Sequence, residues 1–338
     1  MTTPLHPQNV IALVWDFDKT LIPGYMQDPI FEEYGIDDVS FWREVNAIPA
    51  YCQRFGIHMH PDSSYLNHLL TYVHHGKMPG LTNAKLRELG ARITFHPGLP
   101  EFFRLVKEEL ARVPEAQRFD LRLEHYIVST GLREMIEGSA IRPYVDGIWA
   151  SEFIESPPPP GFDPEATVNL DAPASNGALF DVHGISQIAV AYDNTSKTRA
   201  LFEINKGSNT QQGIDVNAKM RPEDRRVPFK NMIYIADGPS DVPAFSVMRQ
   251  SGGTAYAVYL SDKGTERARE DSRRSLEQVE RLRKDGRVDH YGPADYRPES
   301  PTADWLLMRI KQIADGIIAE RRAALKERVG IAPSHLPH

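Results

Sequence analysis

An apolar run that ends in two closely spaced acids constrains the fold of this chain more than any other segment. Residues 11–15 read Ile-Ala-Leu-Val-Trp, and Asp16 and Asp18 follow directly. A short apolar run is typical of a parallel strand buried on both faces, and open α/β sheets carry their sites at the carboxyl ends of such strands. Because side chains alternate along a strand, the two carboxylates should point the same way. Such a pair suits a hard cation such as Mg²⁺, although it can also simply cap the next turn.

A second apolar run leads into small hydroxyl residues. Residues 126–128 read Tyr-Ile-Val, and Ser129, Thr130 and Gly131 follow. A hydroxyl beside exposed backbone N–H groups near the start of a helix can bind a phosphate oxygen. A plain strand-to-helix turn with a Ser or Thr cap is the common alternative.

A third apolar run ends in another pair of acids. Residues 232–236 read Met-Ile-Tyr-Ile-Ala, Asp237 follows, and Asp241 comes four residues later at the predicted start of a helix. Gly238 and Pro239 favour a tight loop between the two acids. We expect this loop to turn both carboxylates towards the first acidic pair, where they could share a cation.

One lysine is placed where a helix gains nothing from it. Residues 185–191 alternate like a strand, and a helix is predicted to begin just before Lys197. A cation at a helix N-terminus opposes the helix dipole, which indicates a role other than local stability. Lys206, Lys219 and Lys230 lie further along and are alternatives for the same role.

The segment after the first acidic pair differs from the rest of the chain. Residues 22–95 carry helical apolar spacing and turn residues but no clear alternating strand. We interpret 22–95 as an inserted helical cap domain, and 1–21 with 96–338 as the core domain. The proline tract at 157–160 predicts an irregular excursion over about 156–184.

Composition excludes several classes of protein. The 338 residues are 41% hydrophobic and 25% charged, so the chain can bury a large core. A formal net charge of −7 disfavours a general nucleic-acid binder. Cys52 is the single cysteine, which excludes intrachain disulfides and cysteine-rich metal sites. With no signal-peptide-like start and no membrane-length apolar run, we expect a cytoplasmic protein with no membrane partner.

The four segments together resemble a known family. Asp-Phe-Asp-Lys-Thr-Leu at 16–21 looks like motif I of the haloacid-dehalogenase-like (HAD) phosphohydrolases. Ser129 then matches motif II, Lys197 motif III, and Asp-Gly-Pro-Ser-Asp at 237–241 motif IV. The resemblance implies an α/β fold, with a Rossmann-like core of parallel strands flanked by helices and a small helical cap inserted after motif I.

The same resemblance implies an activity and a role for each motif residue. It predicts a Mg²⁺-dependent phosphohydrolase that acts on a small phosphorylated metabolite through an aspartyl-phosphate. Asp16 would be the nucleophile and Asp18 the general acid and base. Mg²⁺ would be held by the Asp16 carboxylate, the Asp18 backbone carbonyl, Asp237 and, directly or as a support, Asp241. The predicted phosphate-binding residues are Ser129, Thr130, Gly131 and Lys197.

The substrate is less well defined by the motifs. Motif spacing, the Val-Ser-Thr-Gly run at 128–131 and the position of the cap resemble the phosphoserine-phosphatase-like branch. In phosphoserine phosphatases an acid after motif I holds the substrate ammonium group, but Tyr25 stands at the matching position, and Asp28 could replace it only if the loop bends differently. The resemblance therefore stops at a small phosphomonoester. Other cap residues that could contribute to binding are Met26, Gln27, Arg43 and Arg54.

Two rival functions remain open at this level, and a third is disfavoured. A phosphotransferase or phosphomutase would keep all four motifs, and a non-catalytic phospho-ligand-binding protein could keep the fold. Dehalogenation does not use the second motif I acid, so Asp18 argues against it.

The apolar last helix at about 302–327 is expected to pack on the core, but it also allows a homodimer.

Overall fold

The computed structural model describes residues 5–158, 160–163, 184–261 and 264–330. In this part of the chain seven strands form one sheet. In chain order they are β1 (Val10–Trp15), β2 (Arg122–Leu132), β3 (Gly147–Ile154), β4 (Gln187–Val190), β5 (Met232–Ala236), β6 (Thr254–Tyr259) and β7 (His290–Pro293). Their order across the sheet is β4-β3-β2-β1-β5-β6-β7, and all neighbours pair in parallel except β3 and β4, which are antiparallel.

Helices cover both faces of this sheet, as the α/β prediction requires. The α-helices of the described residues are α1 (Asp28–Tyr34), α2 (Asp38–Gln53), α3 (Pro61–His74), α4 (Asn83–Gly90), α5 (Glu101–Ala111), α6 (Pro114–Arg118), α7 (Arg133–Gly138), α8 (Ser196–Lys206), α9 (Val242–Gln250), α10 (Glu266–Lys284) and α11 (Pro301–Gly330). The mixed α/β architecture with a central, mostly parallel sheet is confirmed.

The central strand β1 fixes which helices its side chains meet. Trp15 and its alternate neighbours pack in a hydrophobic cluster with α5 and α11, and Val14 and its alternate neighbours pack in a second cluster with α8 and α9. Since side chains alternate along a strand, the residue after Trp15 belongs to the face of α8 and α9. Asp16 is therefore directed to the side of the sheet where α8 begins.

Several element boundaries differ from those predicted. β2 begins at Arg122 rather than near Tyr126, because the polar residues at its start still pair with β1. β4 runs antiparallel at the edge of the sheet, a direction that its alternating pattern does not specify. β7 pairs with β6 and has too few apolar residues to be recognised from the sequence. The predicted excursion at 156–184 lies mostly outside the described residues.

The segment predicted to be the cap contains only helices as regular elements among its residues. The helices α1 to α4 all lie between β1 and α5. α2 packs against α3, whereas α4 packs extensively against α7, which directly follows β2. A separate cap over residues 22–95 remains a proposal, because α4 packs on α7 and the Tyr65 hydroxyl of α3 donates to the Thr130 carbonyl of β2.

The last helix packs on the sheet. Ile310, Ile313 and Ile317 of α11 are buried in the same cluster as Trp15 of β1. This agrees with the prediction that its apolar face belongs to the core. Among the described helices, none is both long enough and apolar enough to cross a membrane.

Candidate active site

The parallel register brings three predicted site residues to one edge of the sheet. Trp15 pairs with Ile127 of β2 and with Ile235 of β5. The backbone N–H of Asp16 donates to the Ile235 carbonyl at 2.9 Å, so the pairing continues one residue past β1. Ser129 and Asp237 follow their paired residues by two positions, and thus all three polar side chains leave the sheet at its carboxyl edge.

Lys197 is the lysine that reaches this edge. Its Nζ lies 2.7 Å from Oδ1 of Asp16 and 2.7 Å from Oδ1 of Asp241. Its side chain is only 2% exposed. Burial lowers the pKa of the Lys197 ammonium, but the two carboxylates raise it by more, so that it lies above its ordinary value. Lys206, a rival in the same helix, instead donates to two backbone carbonyls at the far end of α8.

Asp241 is held on both of its oxygens. Its Oδ1 accepts from Lys197 and also from the Tyr234 hydroxyl at 2.5 Å, and its Oδ2 accepts from the Ser240 hydroxyl at 2.9 Å. The side chain is fully buried. A buried carboxylate with this many donors is fixed in position, so Asp241 sets the position of the Lys197 ammonium.

The described residues contain one group of carboxylates suited to a cation. Oxygens of Asp16, Asp237 and Asp241 lie within 4.8 Å of one another. Burial raises the pKa of Asp16 to about 6, an effect that Lys197 opposes and Asp241 reinforces. Burial and the neighbouring acids raise the pKa of Asp237 well above its ordinary value. Like charges this crowded are stable in ionised form only with a further cation, and oxygen ligands alone suit Mg²⁺.

Asp18 lies beside this group but outside it. Its Oδ1 accepts a hydrogen bond from the Met26 backbone N–H at 2.9 Å. Burial, followed by the charge of Asp16, raises the pKa of Asp18 to about 7. A carboxyl group that titrates near neutrality can both donate and accept a proton at physiological pH. Its carboxylate is not part of the candidate metal group, and the role of its backbone carbonyl as a ligand stays a prediction.

The carboxyl end of β2, where its register with β3 shifts between Val128 and Leu132, is shaped around one hydroxyl and one methionine. The Gly131 N–H donates to Oγ of Ser129 at 3.0 Å, which leaves the Ser129 proton free to be donated elsewhere. A side chain at Gly131 would collide with Met26, since a Cβ there would lie 2.3 Å from the Met26 Cε. The Thr130 carbonyl accepts from the hydroxyls of Tyr65 and Ser151. Ser129 is therefore presented as a donor, whereas the predicted Gly131 backbone donor is already in use.

The proposed cap contributors lie in three different surroundings. Tyr25 and Met26 adjoin the site. The Tyr25 hydroxyl accepts from Nζ of Lys19 at 2.7 Å. The Met26 N–H donates to Asp18, and the Met26 sulfur accepts from the N–H of Leu132 at the end of β2. Arg43 is exposed and donates to Ser40 in its own helix. Arg54 lies over the ring of Tyr51. The contacts of these two arginines are local to α2 and the turn after it. Gln27 is buried, with its Oε1 unpartnered among the described residues.

Sequence reasoning missed the residues that hold the acids in place. Tyr234 lies inside β5 and reads as an ordinary core residue, yet it bonds to Asp241. Gln278 of α10 donates to the Asp237 carbonyl at 3.2 Å, from a helix whose sequence is strongly charged. For Tyr234 a signal existed, because a polar tip two residues from a strand's carboxyl end requires a partner when buried. No comparable signal marks Gln278.

The raised pKa of Asp18 predicts a pH-dependent stability of the metal-free protein. Because the folded-state pKa of about 7 exceeds the unfolded value of 3.8, the folded state binds the proton more tightly. Stability contributed by this proton is present below the unfolded pKa and is lost as pH rises through 7. Asp18→Asn, which keeps the acceptor for Met26 without the charge, should stabilise the metal-free protein at pH 8 by about 2 kcal/mol, or about 4 °C in Tm. Thermal melts at pH 8 and pH 4 measure this; an equal gain at both pH values would contradict the electrostatic origin.

The arrangement follows the order of the four sequence motifs. The central β1 carries the first acids, β2 on one side carries the hydroxyl, and β5 on the other carries the second acids, with the lysine supplied from α8. The chain thus has the α/β fold that the resemblance implies, with each motif where that resemblance places it.

A relative at the sequence level gives the family. A Borreliella burgdorferi protein described as "Uncharacterized protein" is 34% identical over 308 residues, covering 90% of this chain and 97% of that protein. The chain belongs to the same family as that protein. No protein-family model matches the sequence.

Solved structures with related folds are distant. A HAD family hydrolase from Salmonella enterica serovar Typhi is 18% identical, with a TM-score of 0.43, over 79% of this chain and 66% of that one. A phosphoserine phosphatase in apo form is 14% identical, with a TM-score of 0.43, over 83% of this chain and 92% of that one. A probable phosphoserine phosphatase from Vibrio cholerae is 12% identical, with a TM-score of 0.46, over 94% of this chain and 68% of that one. At this level of similarity they carry no information on substrate.

Proposed function

We propose that this protein is a Mg²⁺-dependent phosphohydrolase that acts on a small phosphomonoester through an aspartyl-phosphate. One observation carries the proposal: a carboxylate at a strand end, Asp16, is hydrogen-bonded to the buried Lys197 and lies beside two further acids, Asp237 and Asp241. A carboxylate nucleophile, a fixed cation and an oxygen-lined cation site are the parts that phosphoryl transfer requires.

Asp16 would attack phosphorus. A bond forms between a carboxylate oxygen and phosphorus while the bond from phosphorus to the leaving oxygen breaks. Thr20 donates to Oδ2 of Asp16 at 3.0 Å and Lys197 to Oδ1, so the carboxylate has a single orientation. Such preorganisation lowers the entropic part of the barrier.

Asp18 would handle the proton. With the pKa of Asp18 at about 7, it can give a proton to the leaving oxygen and afterwards take one from the water that hydrolyses the aspartyl-phosphate. The bond from Met26 N–H to Oδ1 keeps the carboxyl group turned in one direction through both steps.

Ser129 and Lys197 would stabilise the phosphoryl oxygens. The Ser129 hydroxyl has its acceptor side engaged by Gly131, so its proton is available to an oxygen of the substrate. The Lys197 ammonium supplies positive charge in a buried setting, where such charge is worth more than in water. The backbone N–H of Thr130 is a further proposed donor.

Mg²⁺ would supply charge neutralisation for the phosphoryl group and lower the pKa values of the crowded acids. We propose that the Asp16 carboxylate, the Asp18 backbone carbonyl and Asp237 hold it. Asp241, whose carboxylate lies in the same group as those of Asp16 and Asp237, is proposed as a further ligand or as the support of this set.

Metal removal tests the proposal directly. We expect hydrolysis of p-nitrophenyl phosphate to fall by about 10³-fold in EDTA, and to return when Mg²⁺ is added in excess. Release of inorganic phosphate distinguishes hydrolysis from transfer: a phosphorylated acceptor alcohol without free phosphate would instead identify a phosphotransferase. Tight phosphate-ester binding with no turnover across a phosphomonoester panel would contradict an enzymatic role and support a binding protein.

Two weaker expectations accompany this proposal. We propose that the protein is cytoplasmic. We also propose that it forms a homodimer, which a measurement of its mass in solution tests. Neither affects the chemistry assigned to the site.

A further inference from the structure

Lys19 occupies a backbone position that the surrounding fold holds firmly. It follows Asp18 directly and adopts φ 59°, the left-handed region that residues other than glycine rarely occupy. The Lys19 N–H donates to the Gly24 carbonyl at 3.2 Å. The buried His96 imidazole lies against the backbone of Lys19. The buried Tyr296 hydroxyl donates to the next carbonyl, that of Thr20, at 2.7 Å. Strained residues fixed in this way concentrate at functional sites.

The Lys19 side chain has only a neutral partner. Its Nζ lies 2.7 Å from the Tyr25 hydroxyl and 4.3 Å from the centre of the Tyr25 ring. Among the residues that the structure describes, it forms no ion pair, although Asp18 and Asp237 are near enough to act on its charge. Lys197, by contrast, donates to two carboxylates, which offset its charge. Of the two ammonium groups at the site, Lys19 is the one whose charge no carboxylate offsets by an ion pair, so it can bind a second anionic group.

A row of aromatic rings connects Lys19 to the end of β2 that carries Ser129. The Tyr25 ring is 40% exposed and lies 5.2 Å from the ring of Trp42 in α2. Trp42 in turn lies 6.1 Å from Tyr65 in α3, whose hydroxyl donates to the Thr130 carbonyl. This row of rings leads from Lys19 to the part of β2 that contains Ser129 and Thr130. A ligand whose phosphate contacts Ser129 can thus extend along the rings towards the Lys19 ammonium.

The acid nearest in sequence does not replace Tyr25. An oxygen of Asp28 lies 2.6 Å from the position that a Cβ on Gly24 would take, so this carboxylate closes the turn before α1. The backbone of Tyr25 hydrogen-bonds to it as well. Asp28 thus stabilises the loop that carries Tyr25, and forms no ion pair with Lys19.

From these contacts we infer that Lys19, positioned by Tyr25, binds a second anionic group of the substrate, so that the substrate is a phosphomonoester that also carries a carboxylate. This inference rests on the proposed phosphohydrolase function and deepens it. A carboxylate at Lys19 would form a charge-assisted hydrogen bond, whereas an ammonium group there would be repelled. The site would therefore prefer a negatively charged second group on the substrate, whereas a site with an acid at position 25 would prefer a positively charged one.

Three phosphomonoesters of similar size test the sign of this specificity. We expect kcat/KM with Mg²⁺ to decrease from phosphoglycolate, which carries a carboxylate, through glycerol phosphate to phosphoethanolamine, which carries an ammonium group. Lys19→Met should lower kcat/KM for phosphoglycolate by about 50-fold, the effect of one lost charge-assisted contact, and for glycerol phosphate by less than about 3-fold. Lys19→Arg should recover part of the loss, and the exposed Lys77→Met is the matched control.

Tyr25→Glu provides the complementary change. It should pair with Lys19, reduce phosphoglycolate turnover and raise that of phosphoethanolamine. A preference of the wild type for phosphoethanolamine, or an equal loss for all three esters in Lys19→Met, would overturn the inference, because Lys19 would then act only on the neighbouring acids.

Failure of this inference can be told apart from failure of the proposed function. Hydrolysis of p-nitrophenyl phosphate without any preference among the three esters rejects the role of Lys19 alone. If no ester is hydrolysed, the phosphohydrolase proposal fails, and calorimetric binding of phosphoglycolate against glycerol phosphate decides the role of Lys19. Equal affinities for the two would reject it, and weaker phosphoglycolate binding in Lys19→Met would support it.

Discussion

Replacing Asp16 by asparagine is expected to lower kcat for phosphomonoester hydrolysis by about 10⁴-fold or more, as loss of a covalent nucleophile does elsewhere. Asparagine has the same shape and keeps an acceptor for Lys197 or Thr20, but it cannot form the acyl phosphate. The measurement is steady-state kinetics with p-nitrophenyl phosphate, combined with mass spectrometry of acid-quenched protein. We expect a phosphoryl group on the peptide that contains Asp16 in the wild type and none in the variant.

The control for this variant is the same substitution at a remote surface position. Asp315 is exposed on α11, and Asp315→Asn should leave kcat unchanged. An Asp16→Asn protein that folds and still turns over at a tenth of the wild-type rate would rule out Asp16 as the nucleophile. Phosphate incorporated at another residue would move that role elsewhere.

Replacing Lys197 by methionine is expected to lower kcat by about 10³-fold, because the variant loses a fixed positive charge from the transition state. The substitution also leaves Asp16 and Asp241 without their shared partner. Breaking a buried ion pair on one side costs about 3–5 kcal/mol of folding stability. Since burial raises the pKa of Asp16, this acid can be neutralised by protonation, and the loss should be larger at pH 8 than at pH 5. Kinetics and thermal melts at both pH values measure these effects.

Lys206→Met is the matched control for this prediction. Lys206 lies in the same helix, and its Nζ donates to the Val216 and Ala218 carbonyls rather than to an acid. We expect its kcat to stay within about 2-fold of wild type, since no charge near the site changes. The reverse outcome, with Lys206→Met inactive and Lys197→Met active, would show that the assignment of the lysine is wrong.

Two of the strand ends at the candidate site were accessible from the sequence because they depend on local patterns. An apolar run followed by a polar residue specifies a buried strand and its carboxyl end within a few residues. The ends before Asp16 and Asp237 were placed in this way, and the parallel register brings both acids and Ser129 to one edge. The two ends of β2, which runs from Arg122 to Leu132, and the direction of β4 depend on pairing with distant strands and were not specified by these patterns.

The assignments that remained open all concern contacts between residues far apart in the chain. Lys197 and Asp16 are 181 positions apart, and the sequence offered several lysines of similar local context. The left-handed φ of Lys19 and its contact with Tyr25 likewise have no signature in composition or spacing. Only the packing of α8 against β1, and of the loop after Asp18 against His96 and Tyr296, selects one arrangement.

The sequence by itself thus determined the fold class, and it predicted the four segments of the candidate site and the kind of cation they would hold, because periodicity and side-chain type act over short distances. The tertiary structure decided which lysine completes the site, how Asp241 is held, and that an ammonium paired with a phenol lies beside the reacting acids. The physical reason is that hydrogen bonds and ion pairs are set by distances of a few ångströms in space, which spacing along the chain does not encode.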